Sequence, residues 1–130
     1  MRHLALAISS AAALPVSAAV DFVKDIQPIF EQHCVGCQRE GNTKGGLRMD
    51  TKAQTLKGGE SGDSLVPGKP DKSFIYTTMV LDANDDLVMP PKKKGGPLAK
   101  DKTDLVKQWI LEGASWPDDL KLITRKIEQV

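Results

Sequence analysis

The chain has 130 residues, 40% hydrophobic and 27% charged, which is the size of one small domain and excludes a disordered tail or a multi-span membrane protein. Lys+Arg 18 against Asp+Glu 17 leaves a formal net charge of +1, without the basic excess of a nucleic-acid-binding domain. Two cysteines exclude a disulfide scaffold and, with only two histidines, an ordinary four-ligand zinc site.

Met1-Arg2-His3 is a short basic opening, and Leu4 to Leu14 is an apolar run too short to span a bilayer. Pro15-Val16-Ser17-Ala18-Ala19 then places small residues where a signal peptidase cuts, after Ala18 or Ala19. Residues 1–19 therefore read as a secretory signal peptide, against the plainer reading of a buried N-terminal helix. No second apolar stretch follows, so the mature chain is expected to be exported, periplasmic or otherwise extracytoplasmic, with no membrane span. Without the leader the basic and acidic residues balance, and His33 is the single histidine. In an oxidising compartment two cysteines pair unless something else claims them.

Residues 20–117 read as one all-α domain of about three main helices joined by long Gly/Pro-rich loops. Phe22, Ile26, Ile29 and Phe30 fall at helical spacing. Because Pro28 is tolerated only in a first turn, the spacing predicts a helix start near Asp25, with Asp25 as N-cap. Thr51 to Lys57 predicts one short helix stopped by Gly58-Gly59. Pro67-Gly68-Lys69-Pro70 is a turn, after which Asp71 or Ser73 is placed to cap a helix through Phe74, Ile75, Thr78 and Met79. Leu81 to Pro97 is loop. Asp101 to Glu112 is the strongest helix, with Asp101 and Asp104 at cap and N3, an apolar face of Leu105, Val106, Trp109 and Ile110, and a stop at Gly113. Leu120, Ile123, Ile127 and Val130 continue a stripe at helical spacing, so residues 118–130 read as a C-terminal helical tail.

Few large side chains come from the two long loops, and three modest helices leave a core of this size under-filled. Either a non-protein group completes the core or an extended functional loop accounts for the composition. Cys34-Val35-Gly36-Cys37 ends the first helix. Followed by His, this spacing is the haem c attachment signature, in which two thiols take up the vinyl groups and the next residue offers imidazole to iron. Position 38 is Gln. A simple structural disulfide is the competing reading of the pair, since a thioredoxin-like βαβ pattern is lacking.

Asp25-Ile26-Gln27-Pro28-Ile29-Phe30 with Cys34-Val35-Gly36-Cys37, Gly45-Gly46-Leu47-Arg48-Met49-Asp50, Ser61-Gly62, Val66-Pro67-Gly68-Lys69-Pro70, Ser73, Met89-Pro90-Pro91, Trp109-Ile110-Leu111-Glu112-Gly113-Ala114 and Trp116-Pro117 stand in order along the chain. From Val20 to Pro117 this arrangement resembles the planctomycete-type cytochrome c domain, a class I-like monohaem cytochrome c. The resemblance implies one covalent haem c on Cys34 and Cys37, Met89 as distal iron ligand, and the proximal position at Gln38. Gln38 departs from the family's His there: a carboxamide oxygen is a weak ligand, and the attachment machinery reads the whole C-x-x-C-His unit. Gln38 is then either an introduced or erroneous substitution in a haem protein, a genuine site with weak or absent proximal ligation, or the mark of a lost haem.

Neighbouring residues on a helix point about 100° apart, so His33 and Gln38 do not share a direction, and His33 reads as a surface or second-shell residue. Met49 and Met79 read as packing methionines, Trp109 and Trp116 as core anchors. Lys92-Lys93-Lys94 is a solvated loop or a steering patch for an acidic redox partner protein. The function that follows is electron transfer without substrate chemistry, hence not an enzyme. The alternative is a haem-deficient or open-coordination derivative acting as a ligand-binding sensor or structural module.

Overall fold

The computed structural model describes residues 19–36, 38–39, 42–43, 47–59 and 62–124. The leader, apart from Ala19, lies outside them, as do Cys37, Ile127 and Val130.

The chain enters through a π-helical turn, Phe22–Ile26, which runs without a break into α1, Gln27–His33. The helix thus starts four residues earlier than the proline argument predicts, and its cap is Asp21, whose side chain accepts from the Lys24 N–H at 3.1 Å. The wide turn explains how Pro28 is accommodated. The Gln27 N–H bonds back to the Phe22 carbonyl, and the next residue, which has no N–H, falls in the first turn of α1. Asp25 instead accepts the Asp21 N–H at 2.9 Å.

Past α1 the backbone forms a minimal antiparallel ribbon, β1 (Gln38–Arg39) with β2 (Asn42–Thr43), pairing Gln38 with Thr43 and Arg39 with Asn42. This is the one ladder among the described residues, and the class is all-α. The second helix α2, Lys52–Lys57, has the predicted extent: Thr51 caps it by accepting the Gln54 N–H, and Gly58 ends it at φ 80°. A Cβ at Gly58 would stand 2.4 Å from the Gly62 carbonyl oxygen, so glycine is required there on both counts.

The Val66–Lys69 turn closes with a 3.0 Å backbone bond, and the Gly68 N–H donates to the Ile110 carbonyl at 2.7 Å, tying the loop to the last helix. A 3₁₀ turn, Pro70–Lys72, leads into α3, Phe74–Thr77, shorter than predicted. Ser73 stands at its N-cap, yet its hydroxyl faces the preceding loop: it accepts the Val66 N–H at 2.9 Å and lies 2.9 Å from the Lys69 carbonyl, to which it donates. The loop to Pro97 contains one 3₁₀ turn, Lys92–Lys94, and cis peptides before Pro90 and Pro97.

The last helix, α4, spans Lys100–Leu111 with Ala99 at the cap position. Asp101 is inside the first turn rather than at the cap, and Asp104 pairs with Lys100 at 2.7 Å. Val106, Trp109 and Ile110 are buried and Leu105 packs beside them, as the periodicity predicts. Gly113 ends the helix at φ 106°.

The core joins the two ends of the domain. Phe22 and Phe30 meet Trp109 and Trp116 in one cluster, with Phe22 stacked on Trp116 at 4.6 Å and Phe30 edge-on to Trp109 at 5.6 Å. Such pairs contribute about 0.5–1.5 kcal/mol each beyond their buried area. Both tryptophans are therefore core anchors, and Trp109 Nε1–H donates to the Ser115 carbonyl at 2.7 Å.

Residues 118–124 are not helical, which corrects the described part of the predicted helical tail. The periodic stripe fails because backbone bonds decide the register: Leu122 is buried, while Ile123 is 67% exposed. Among the described residues no helix is long and apolar enough to cross a membrane.

Candidate functional site: an apolar cavity between Cys34 and Met89

The under-filled core is real. A cavity of about 490 Å³ opens between α1, the Leu47–Met49 segment, α3 and the Met89 loop, within the range of ligand and cofactor pockets. Leu47, Met49, Ile75, Met79 and Met89 supply apolar wall, Gly59, Gly62 and Ser64 one side, and Asp86, Leu87 and Lys94 part of the lining from the long loop.

Cys34 reaches this cavity because of how α1 ends. The N–H groups of Cys34 and Val35 both bond to the Phe30 carbonyl at 2.9 Å. Val35, fully buried, anchors the loop in the core, while half-buried Cys34 lines the cavity. Gly36 follows on the same wall. Cys37 lies outside the described residues, as does the side chain of Gln38, whose backbone belongs to β1.

Met89 is placed from the opposite end of the sequence pattern. Val88 before it is buried, and the Met89 N–H donates to the Thr78 carbonyl at 3.1 Å, hanging the loop on the residue after α3. Pro90 is buried and Pro91 shares the cavity wall. The stiff Met-Pro-Pro run thus holds a half-buried thioether at the cavity. Met49 and Met79 are buried packing residues, as expected, but they also line the cavity. Nothing in their local sequence signals that second role, because cavity lining is set by tertiary neighbours.

His33 is part of the wall beside Cys34 rather than a free surface residue. Its Nδ1 is buried without a hydrogen-bond partner. Burial, and then the nearby positive charge of Lys102, hold its pKa below the usual imidazole value. The ring is therefore neutral at pH 7. Lys92–Lys94 is exposed, with Lys94 on the cavity lining. Leu47, from the Gly-Gly-Leu segment, and Thr124 are also on the wall; Thr124 lies in no motif that ties it to a cavity.

A cysteine at a helix end and a methionine followed by two prolines thus line one apolar chamber of a small helical domain. Residues 34–93 match the planctomycete cytochrome C family model, so the resemblance seen in the sequence holds from the first cysteine through the Met-Pro-Pro motif. The match supports a haem-binding, electron-transferring cytochrome in general; such domains typically carry covalent haem c, act as electron carriers rather than enzymes, and are exported. No curated protein and no solved structure matches the chain. The donors fit haem at Cys34 and Met89, a thiol and a soft thioether on one apolar cavity. At position 38 the chemistry differs, a carboxamide standing where imidazole is expected.

Proposed function

We propose that this chain is an exported monohaem c-type cytochrome that transfers electrons, with haem held through Cys34 and Cys37 and Met89 as the distal ligand. The observation that carries the reading is that Cys34 and Met89, 55 positions apart in the numbering, line the same apolar cavity. When bound, haem c supplies a one-electron couple, and the protein's part is to bind, bury and tune it. The thiols of Cys34 and Cys37 would fix the group covalently. Leu47, Met49, Ile75 and Met79 exclude water from it, and a low-dielectric surrounding with a thioether ligand favours the reduced form. Lys94 at the cavity, with Lys92 and Lys93, gives the approach a positive edge suited to an acidic redox protein.

A second reading, an open-coordination or haem-deficient module, rests on Gln38. Its carboxamide would offer a haem iron only a weak donor, so a haem held here would leave room for small ligands.

The test is production of the exported protein in a host with haem-attachment machinery, followed by intact mass and visible spectrum. The proposal expects a mass increase of one haem and a Soret band that survives denaturation. A colourless product of unmodified mass would refute it. A haem protein with a wholly high-spin spectrum would favour the second reading.

A further inference from the structure

The segment after the last helix reaches the cavity without a helix to carry it. Leu122 is 1% exposed, and its N–H donates to the Asp50 carbonyl at 2.7 Å. The next residue, Ile123, turns its side chain outward, so apolar burial does not hold it. Its N–H instead donates to Glu31 Oε2 at 2.9 Å. Glu31 lies on α1, three positions before Cys34, and is 1% exposed. The same oxygen accepts from Gln27 Nε2 at 3.2 Å. A carboxylate is costly to bury unless it is hydrogen-bonded, and here one of its bonds crosses 92 residues to a backbone amide. One position further, Thr124 lines the cavity. Its Cγ2 lies 3.8 Å from where a Cβ on Gly36 would stand, which places it beside the C-x-x-C loop.

We infer that residues 122–124 are a strap that brings Thr124 to the cavity wall, and that Glu31 is the positioning residue that sets this strap beside the cysteine loop. The strap lies outside the stretch matched to the family model, which ends at residue 93. Its consequence for the cofactor rests on the cytochrome reading above. With no imidazole at position 38, access of a small nitrogen base from solution to a bound haem iron would depend on the wall next to the cysteine loop, which the Glu31–Ile123 bond helps to hold in place.

The experiment has two arms on the full chain. In the first, amide hydrogen exchange at Leu122 and Ile123 is measured for the haem-free and haem-loaded protein and for Glu31→Ala and Glu31→Gln. Glu31→Ala should speed exchange at Ile123 by roughly tenfold or more, the factor that loss of one hydrogen bond to a carboxylate corresponds to. Glu31→Gln keeps an acceptor oxygen and should restore most of the protection. In the second arm, the rate of imidazole binding to the ferric haem-loaded protein should rise by a similar factor in Glu31→Ala and return in Glu31→Gln. Ile123→Pro removes the donor at an exposed position and serves if Glu31→Ala does not fold; it should speed imidazole binding in the same way. Rapid exchange at Ile123 in the unsubstituted protein would overturn the strap. Unchanged imidazole binding in both Glu31→Ala and Ile123→Pro would overturn its control of access. Failure to obtain any haem-loaded protein defeats the cytochrome reading, and the exchange arm then judges the strap alone.

Discussion

Gln38 and Met89 carry opposite weight at the scale of single residues. A thioether is an ordinary haem ligand, whereas a carboxamide is a poor one, so the two positions predict different responses to substitution. Met89→Ala should alter the near-infrared charge-transfer band and lower the potential of the haem-loaded protein; an unchanged spectrum would mean that Met89 only packs. Gln38→His should raise covalent haem content, convert the spectrum to low spin and raise the melting temperature, because a group bound only by the native state stabilises it. Equal haem and identical spin state in the two proteins made side by side would show that Gln38 is no defect.

His33 gives a third prediction, in the haem-free protein. Its folded pKa lies below the unfolded value, so above about pH 6.5 the ring is neutral in both states and costs nothing. As pH falls below that value the unfolded chain takes up the proton first, and stability drops until the folded pKa is passed. His33→Gln should flatten this part of the stability–pH curve, as followed by urea unfolding from pH 7.5 to pH 5 (roughly the window around an unperturbed imidazole). Cys34 and Met89 stood out in the sequence through their motifs, and both line the cavity. The place of His33 was not, since the direction of a side chain at a helix end depends on what packs there, here the buried Val35.

Among the elements, those bounded by local chemistry were readable in advance. Thr51 and Gly58 delimit α2, and Gly113 stops α4, because caps and positive φ are properties of the residue itself. The start of α1 was misplaced, because Pro28 suggests a new first turn and the π-helical lead-in that accommodates it leaves no periodic signature. Ser73 is instructive for the same reason. Its sequence position marks a helix cap, but its hydroxyl bonds to Val66 and Lys69 in the loop before α3. Ser73→Ala should therefore destabilise the fold by about 1–3 kcal/mol, the cost of leaving buried backbone groups unsatisfied. Denaturant titration checks this, and the haem spectrum should not change.

For the whole molecule, the shortage of large loop side chains pointed to either a non-protein group in the core or an extended functional loop, and the structure has a cavity with walls from segments scattered between Gln32 and Thr124. Which residues would form those walls was beyond reach, because wall membership is a long-range property. The signal-peptide reading of residues 1–19 leads to a further prediction: an exported product should begin at Ala19 or Val20, as N-terminal sequencing would show, and an intact Met1 would contradict it.

The aromatic cluster joining Phe22 and Phe30 to Trp109 and Trp116 also bears on how the domain assembles during synthesis. The Val20 N–H bonds to Glu112 Oε1 at 2.8 Å, across 92 residues, so the opening helix acquires its packing partner only when nearly the whole domain exists. Contacts of such high sequence separation make folding slow and leave little structure for a nascent chain to settle into. A ribosome-bound fragment ending before Lys100 would hold α1 without its aromatic seat, and should be digested by protease as readily as an unfolded polypeptide. Because Glu112 and Trp116 follow α4, the chain is expected to commit to its fold only once the residues just beyond that helix are also present.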